Sequence, residues 1–175
     1  MHALIVGANG TGKSTLIHRV LQALHRPVVG FETVKEDALA DADGSPIYIY
    51  PAGLPHRQTP ENLVGRCKER KAVAVCAGFD RFARQYAEPT DKDCVIEMDE
   101  IGFLESQSKA FCNMIFSALD DSRPVIAAVR DKDTPFLRSV RSHPKARCFH
   151  LIPENRESLF WEVLSFMQAQ LEDLP

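Results

Sequence analysis

The sequence predicts an α/β fold of three layers (α/β/α), with helices covering both faces of a mainly parallel sheet and a β-hairpin inserted after the first helix. Three observations predict it. Apolar runs of strand length alternate with longer segments whose apolar residues recur at helical spacing, the pattern of βαβ units. Residues 7–14 read GANGTGKS, the phosphate-binding pattern Gly-x-x-x-x-Gly-Lys-[Ser/Thr]. A second apolar strand, opening at Cys94, runs into the acids Asp99 and Glu100, and parallel sheets bind their ligands at the carboxyl ends of strands.

The elements follow in order. Ala3-Leu4-Ile5-Val6 is a buried parallel strand, and Leu16, Ile17, Val20, Leu21 and Leu24 define the helix after the octet, closed by Pro27. The β-branched run Val28 to Val34 is a strand, Asp41 to Pro46 a turn centred on Asp43-Gly44, and Ile47 to Tyr50 the returning strand of the hairpin. Pro51 to Pro60 reads as a loop and Lys71 to Cys76 as a short strand. Phe79, Phe82, Ala83 and Tyr86 share one face of a helix expected over Gly78 to Glu88, which Pro89-Thr90-Asp91 breaks. The Cys94 strand precedes a helix from Ser108 to Asp120, a strand Val125 to Val129, and a short helix from Pro135 to about Ser142. A strand Cys148 to Ile152 and an amphipathic helix Arg156 to Leu171 close the order.

Length and composition narrow the classes. A chain of 175 residues suits one domain, residues 1–175, and buries roughly 70% of its unfolded surface. A net charge of −3 gives no general attraction to nucleic acid or anionic membrane. No apolar run approaches the roughly 18 residues needed to span a bilayer, and Met1-His2 leads straight into the first strand, so neither a membrane span nor a signal peptide is expected. The five cysteines and six histidines are scattered without metal-ligand spacing, which points to reduced thiols and a cytoplasmic location.

The octet has a physical rationale. A polyphosphate needs many donors at close range; glycines bring backbone N–H groups near it, and the following helix adds its positive end. Gly7, Ala8, Asn9, Gly10, Thr11, Gly12, Lys13, Ser14 and Thr15 are thus the expected nucleotide-binding set. Lys13 reaches the β- and γ-phosphates and Ser14 ligates Mg²⁺. Asp99 is expected in the metal's shell, mostly through water, and Glu100 on the attacking water. Glu97 lies inside the strand and is read as a paired or edge-facing carboxylate. Arg130, after the next strand, is a candidate for stabilising transition-state charge, against a surface ion pair. The run Arg66, Lys68, Arg70, Lys71 reads as solvated, and His56-Arg57 as a candidate lid or substrate contact.

Four pieces in order resemble a known family: GANGTGKS, GFET at Gly30 to Thr33, DEIGFLE at Asp99 to Glu105, and PENRESL at Pro153 to Leu159. Together they are similar to the small nucleoside-triphosphatases that include the thermophilic and cancer-related members, over nearly the whole chain. The resemblance implies a RecA-like P-loop NTPase domain that hydrolyses ATP, GTP or other nucleoside triphosphates with Mg²⁺. Lys13, Ser14, Asp99 and Glu100 match the family's site, and Asn155 and Arg156 its late motif near the nucleotide, although Asn155 equally suits a helix N-cap. Lys35-Glu36-Asp37-Ala38-Leu39 and Phe103 depart from the family pattern and bear on substrate choice and turnover. Two other classes use the same loop: a kinase of a nucleoside or small metabolite, with Arg57, Arg66 and Arg70 available for a lid, and a slow nucleotide switch acting on a protein or RNA partner. Homo-oligomers, which could supply an arginine, are compatible with either class.

Overall fold

A computed structural model describes residues 1–86 and 93–172. Eight strands form one sheet: β1 (His2–Gly7), β2 (Val28–Lys35), β3 (Ser45–Pro51), β4 (Leu63–Lys68), β5 (Lys71–Ala74), β6 (Val95–Ile101), β7 (Val125–Arg130) and β8 (Ala146–His150). Their spatial order is β5-β4-β3-β2-β6-β7-β1-β8. The block from β2 to β8 that contains β6, β7 and β1 is parallel, whereas β3, β4 and β5 extend the sheet as antiparallel neighbours. The inserted hairpin is therefore the first turn of a three-strand antiparallel extension. β4 was not expected: Arg66 and Lys68, read as a solvated run, stand on it, with Arg66 Nη1 2.7 Å from Asp41 Oδ1 and Lys68 Nζ donating to Ala42 O at 2.7 Å.

Strand alternation builds the two cores. On β1, Ala3 and Ile5 face α1 (Lys13–Leu24) and α5 (Arg156–Glu172), packing with Leu16, Ile17, Val20, Phe160 and Val163. Leu4 and Val6 face the opposite layer, with Phe79 of α2 (Cys76–Gln85), Phe111 and Ile115 of α3 (Lys109–Asp120), and Leu137 of α4 (Pro135–Arg141). Both faces of β1 and β7 are fully covered, which is why these strands read as continuous apolar runs rather than alternating ones. α2 begins two residues before the expected Gly78; the expected end at Glu88, and the Pro89-Thr90-Asp91 break, lie outside the described residues. Among the described residues no helix is long and apolar enough to cross a membrane.

Two features position the site. β7 lies between β1 and β6, so the octet and the Asp99-Glu100 pair sit two strands apart on the same rim. β6 is also irregular there: Met98 pairs with Ala127 but Ile101 with Val129, so one extra residue is fitted into β6. Such a bulge re-aims side chains, and here it turns Asp99 and Glu100 towards different partners.

Candidate functional site

The octet closes the turn from β1 into α1. Gly10 and Gly12 have φ of 76° and 98°, a conformation that side chains resist. Ala8, Asn9, Gly10, Ser14 and Thr15 are exposed on the open side of the loop. Lys13 is buried, and its ammonium donates to the loop's own carbonyls, Gly7 O at 3.1 Å and Ala8 O at 2.9 Å. The Thr11 hydroxyl donates to Ala8 O at 3.0 Å.

The loop is braced from the far end of the chain. Arg156, the first residue of α5, donates from Nε to Thr11 O at 2.9 Å, and its guanidinium lies over Gly12. Two turns further along α1, Arg19 makes two 3.0 Å hydrogen bonds to Glu157 and covers the Phe160 ring at 4.2 Å. Asn155 does not cap α5 as an N-cap would. Its side chain accepts from Ile152 N–H at 3.0 Å and donates to His150 O at 2.8 Å, fixing the turn that delivers Arg156.

The acids meet the loop through α1. Glu97 and Asp99 share the face of β6 that looks at α1, because strand residues two apart point the same way. Ser14 and His18 share the facing side of α1, because helix residues four apart do. Asp99 is buried, and the Ser14 hydroxyl stands near enough to favour its charged form. Burial pushes its carboxyl up to about 6; the Ser14 hydroxyl opposes this, and the nearby charges of Glu97 and Glu100 add to it. A buried carboxylate near a hydroxyl, beside a phosphate-binding turn, fits a magnesium ion, whose ligands are hard oxygens. Ser14 and Asp99 are the residues that would hold it.

Glu100 turns the other way and accepts from Arg130 Nε, at the end of β7. Arg130 O in turn accepts from Arg141 Nη1 at 3.2 Å. Behind this pair lies Glu105, buried, its carboxylate accepting Gly102 N–H at 2.8 Å. Burial, with the charge of Glu100 assisting, lifts the Glu105 carboxyl to about 7, against the bonds from its own and the Gly102 N–H. Lys13, Ser14, Asp99, Glu100, Arg130 and Arg156 thus converge on one rim, as the sequence anticipates.

Sequence reasoning missed the layer beneath. His18 Nε2 lies 3.3 Å from Glu97 Oε1 and 3.5 Å from Glu32 Oε2. Glu32, opposite Asp99 in the β2–β6 register, is also 3.6 Å from His56 Nε2. His56 stacks flat on Tyr50, with ring centroids 4.0 Å apart. Hydrogen bonds to Glu32 and then Glu97 raise His18 to about 10, and the same contact holds Glu32 below its usual range. The one-dimensional signals were the four-residue step from Ser14 and the two-residue step from Asp99; the register that joins them is tertiary. A cavity of about 620 Å³ beside β2 is lined by residues that include Val28, Ile49, Leu54, Arg57 and Phe82, and by none of the octet, Asp99 or Glu100.

A parallel sheet with an extra strand between its phosphate loop and its acidic strand, and with lysine, hydroxyl and carboxylates on one rim, defines a P-loop nucleotide-binding protein. Comparison then fixes the family: the profile described as NTPase matches residues 2–164, and the chain belongs to that family. Among its relatives is nucleoside-triphosphatase THEP1 of Thermotoga sp. (strain RQ2), 27% identical over 176 residues, covering 96% of each chain. The human cancer-related nucleoside-triphosphatase is 25% identical over 190 residues, covering 96% of this chain and 97% of its own. The fold is similar to the crystal structure of THEP1 from the hyperthermophile Aquifex aeolicus, with a TM-score of 0.72 at 24% identity, over 96% of this chain and 99% of that one.

Proposed function

We propose that the chain is a Mg²⁺-dependent nucleoside-triphosphatase, cleaving ATP, GTP or another nucleoside triphosphate to the diphosphate and phosphate. The observation that supports this reading is that the buried Asp99, at the end of the acidic strand, faces Ser14 at the start of the helix that follows the phosphate loop. The naming of its relatives as nucleoside-triphosphatases favours water as acceptor over a small-molecule hydroxyl, and neither the octet nor Asp99 and Glu100 lines the apolar cavity.

The residues divide the work. The loop backbone from Gly7 to Thr15 and the Lys13 ammonium bind the phosphates; Lys13 leaves the carbonyls of Gly7 and Ala8 when phosphate oxygens replace them. Arg156 keeps the loop in shape through Thr11. Bound magnesium supplies charge neutralisation of the triphosphate and its leaving diphosphate. Glu100 orients a water in line with the scissile bond and takes its proton. Arg130 holds Glu100 in the resting site and offers its remaining donors to the γ-phosphate as charge develops.

Phosphate release from a panel of purified nucleoside triphosphates tests this. Glu100→Gln is expected to bind nucleotide but to lose about 10²–10³ in kcat. Full turnover by that variant removes Glu100 as base; turnover that depends on an added nucleoside or metabolite replaces hydrolysis with phosphoryl transfer to that acceptor.

A further inference from the structure

We propose that His18, Glu97 and Asp99, with Glu32 as a fourth partner, form a binding site for a borderline first-row divalent cation such as Zn²⁺ or Co²⁺, beneath the phosphate site. The argument begins with the donors. One imidazole nitrogen and one oxygen from each of Glu97 and Asp99 lie within 4.8 Å of one another. The His18–Glu97 and His18–Glu32 separations are 3.3 and 3.5 Å. Ligands about 2.1 Å from a tetrahedral ion stand about 3.4 Å apart, which the two His18 separations already match.

A second, independent observation concerns Glu97. Glu97 is only 2% exposed, and among the described residues its buried Oε1 has a single ion-pair neighbour, the His18 ring at 3.3 Å, itself a member of the set and shared with Glu32. A buried carboxylate is costly unless its oxygens are well partnered, and here one ring is divided between two carboxylates. Apart from His18, and His56 beside Glu32, no cationic side chain compensates them: among the described residues, no lysine or arginine forms an ion pair with Glu32, Glu97 or Asp99. Three carboxylates therefore converge on the space beside one half-exposed imidazole, which also gives the ion a path in from solvent.

Donor type selects the metal. Magnesium prefers all-oxygen, octahedral surroundings and keeps its waters, whereas an imidazole with carboxylates suits zinc and its neighbours in the first row. The set is thus distinct in kind from the hard-oxygen pair Ser14–Asp99, although Asp99 borders both. The inference goes beyond hydrolysis and does not rest on it, because it concerns the nucleotide-free protein.

The test is a Co²⁺ titration of the full chain without nucleotide, read by visible absorption, with Zn²⁺ calorimetry alongside. One saturable equivalent is expected in the wild type, with Mg²⁺ in excess failing to displace it. His18→Gln and Glu97→Gln are each expected to weaken binding at least about tenfold, since even indirect partners of a metal ligand contribute about 10–100-fold. Ser14→Ala, which removes the hydroxyl proposed for magnesium, is expected to retain it. Imidazole NMR of the wild type during Zn²⁺ addition provides a reading that needs no variant: one of the six histidines should respond first and saturably. Affinity unchanged in His18→Gln, displacement by Mg²⁺, or no saturable histidine response would each overturn the proposal.

Discussion

His2 makes two backbone contacts that an aliphatic side chain cannot replace. Its Nε2–H donates to Leu119 O at 2.7 Å, tying β1 to the end of α3, and its Nδ1 accepts from Val125 N–H at 3.2 Å at the start of β7. The ring is buried, and burial lowers its pKa from 6.5 to about 4, against the Leu119 bond. A folded-state pKa below the unfolded value favours the neutral ring: the stability it contributes is complete above pH 6.5 and is lost as pH falls towards 4. His2→Gln keeps a donor and an acceptor but cannot titrate. Urea unfolding at pH 7.5, 5.5 and 4.5 (about one pH unit apart or more, spanning the shift) is expected to show the wild type as the more stable at the highest pH, with its advantage shrinking at each step down. Gly30 is instructive at the same scale. The GFET resemblance marks it, but only the structure gives its reason: φ is 117°, and a Cβ there would lie 2.0 Å from Glu97 O on the adjacent strand. Motifs name such residues; the close approach that requires them is between strands distant in sequence.

Among the elements, those set by local periodicity were legible and those set by partners were not. α1, α3 and α5 follow from apolar spacing, and the phosphate loop from its glycines and lysine. β4 escaped because its apolar start, Leu63-Val64, gives way to Gly65, Arg66, Cys67 and Lys68, and only pairing with β3 and β5 makes that segment a strand. The β6 bulge was equally hidden, since Asp99-Glu100 carries no local sign of the extra residue. One element-scale prediction concerns α3. Ser108 is its N-cap, accepting Phe111 N–H at 3.1 Å while donating to Asp80 of α2 at 2.5 Å, and it is buried. Ser108→Ala removes the cap and leaves a carboxylate short of its donor. The expected loss is about 1–2 kcal/mol, seen in calorimetry as a Tm lower by about 2–8 °C.

For the molecule as a whole, the sequence supplied the alternation of strands and helices but not the strand order. Nothing local says that β7 lies between β1 and β6, yet that placement brings Arg130 against Glu100. Order is decided by which apolar faces the helices cover, a property of the assembled layers. If triphosphate and magnesium bind the folded chain alone, saturation links to global stability. At a ligand concentration of about 100 Kd the gain is about 2.7 kcal/mol, equivalent to about 5–10 °C in Tm for a chain of this size. Lys13→Ala is expected to abolish that shift in a thermal scan with and without nucleotide, while leaving the Tm of the free protein close to the wild type.

The reach of Arg156 to Thr11 has a consequence for synthesis. The glycine-rich turn is synthesised before the strands on either side of β1 and before the arginine that steadies it. A nascent polypeptide therefore carries the turn before its flanking strands and its brace exist. The cradle is complete only when α5 has docked against α1, and nucleotide capture is expected to follow that step.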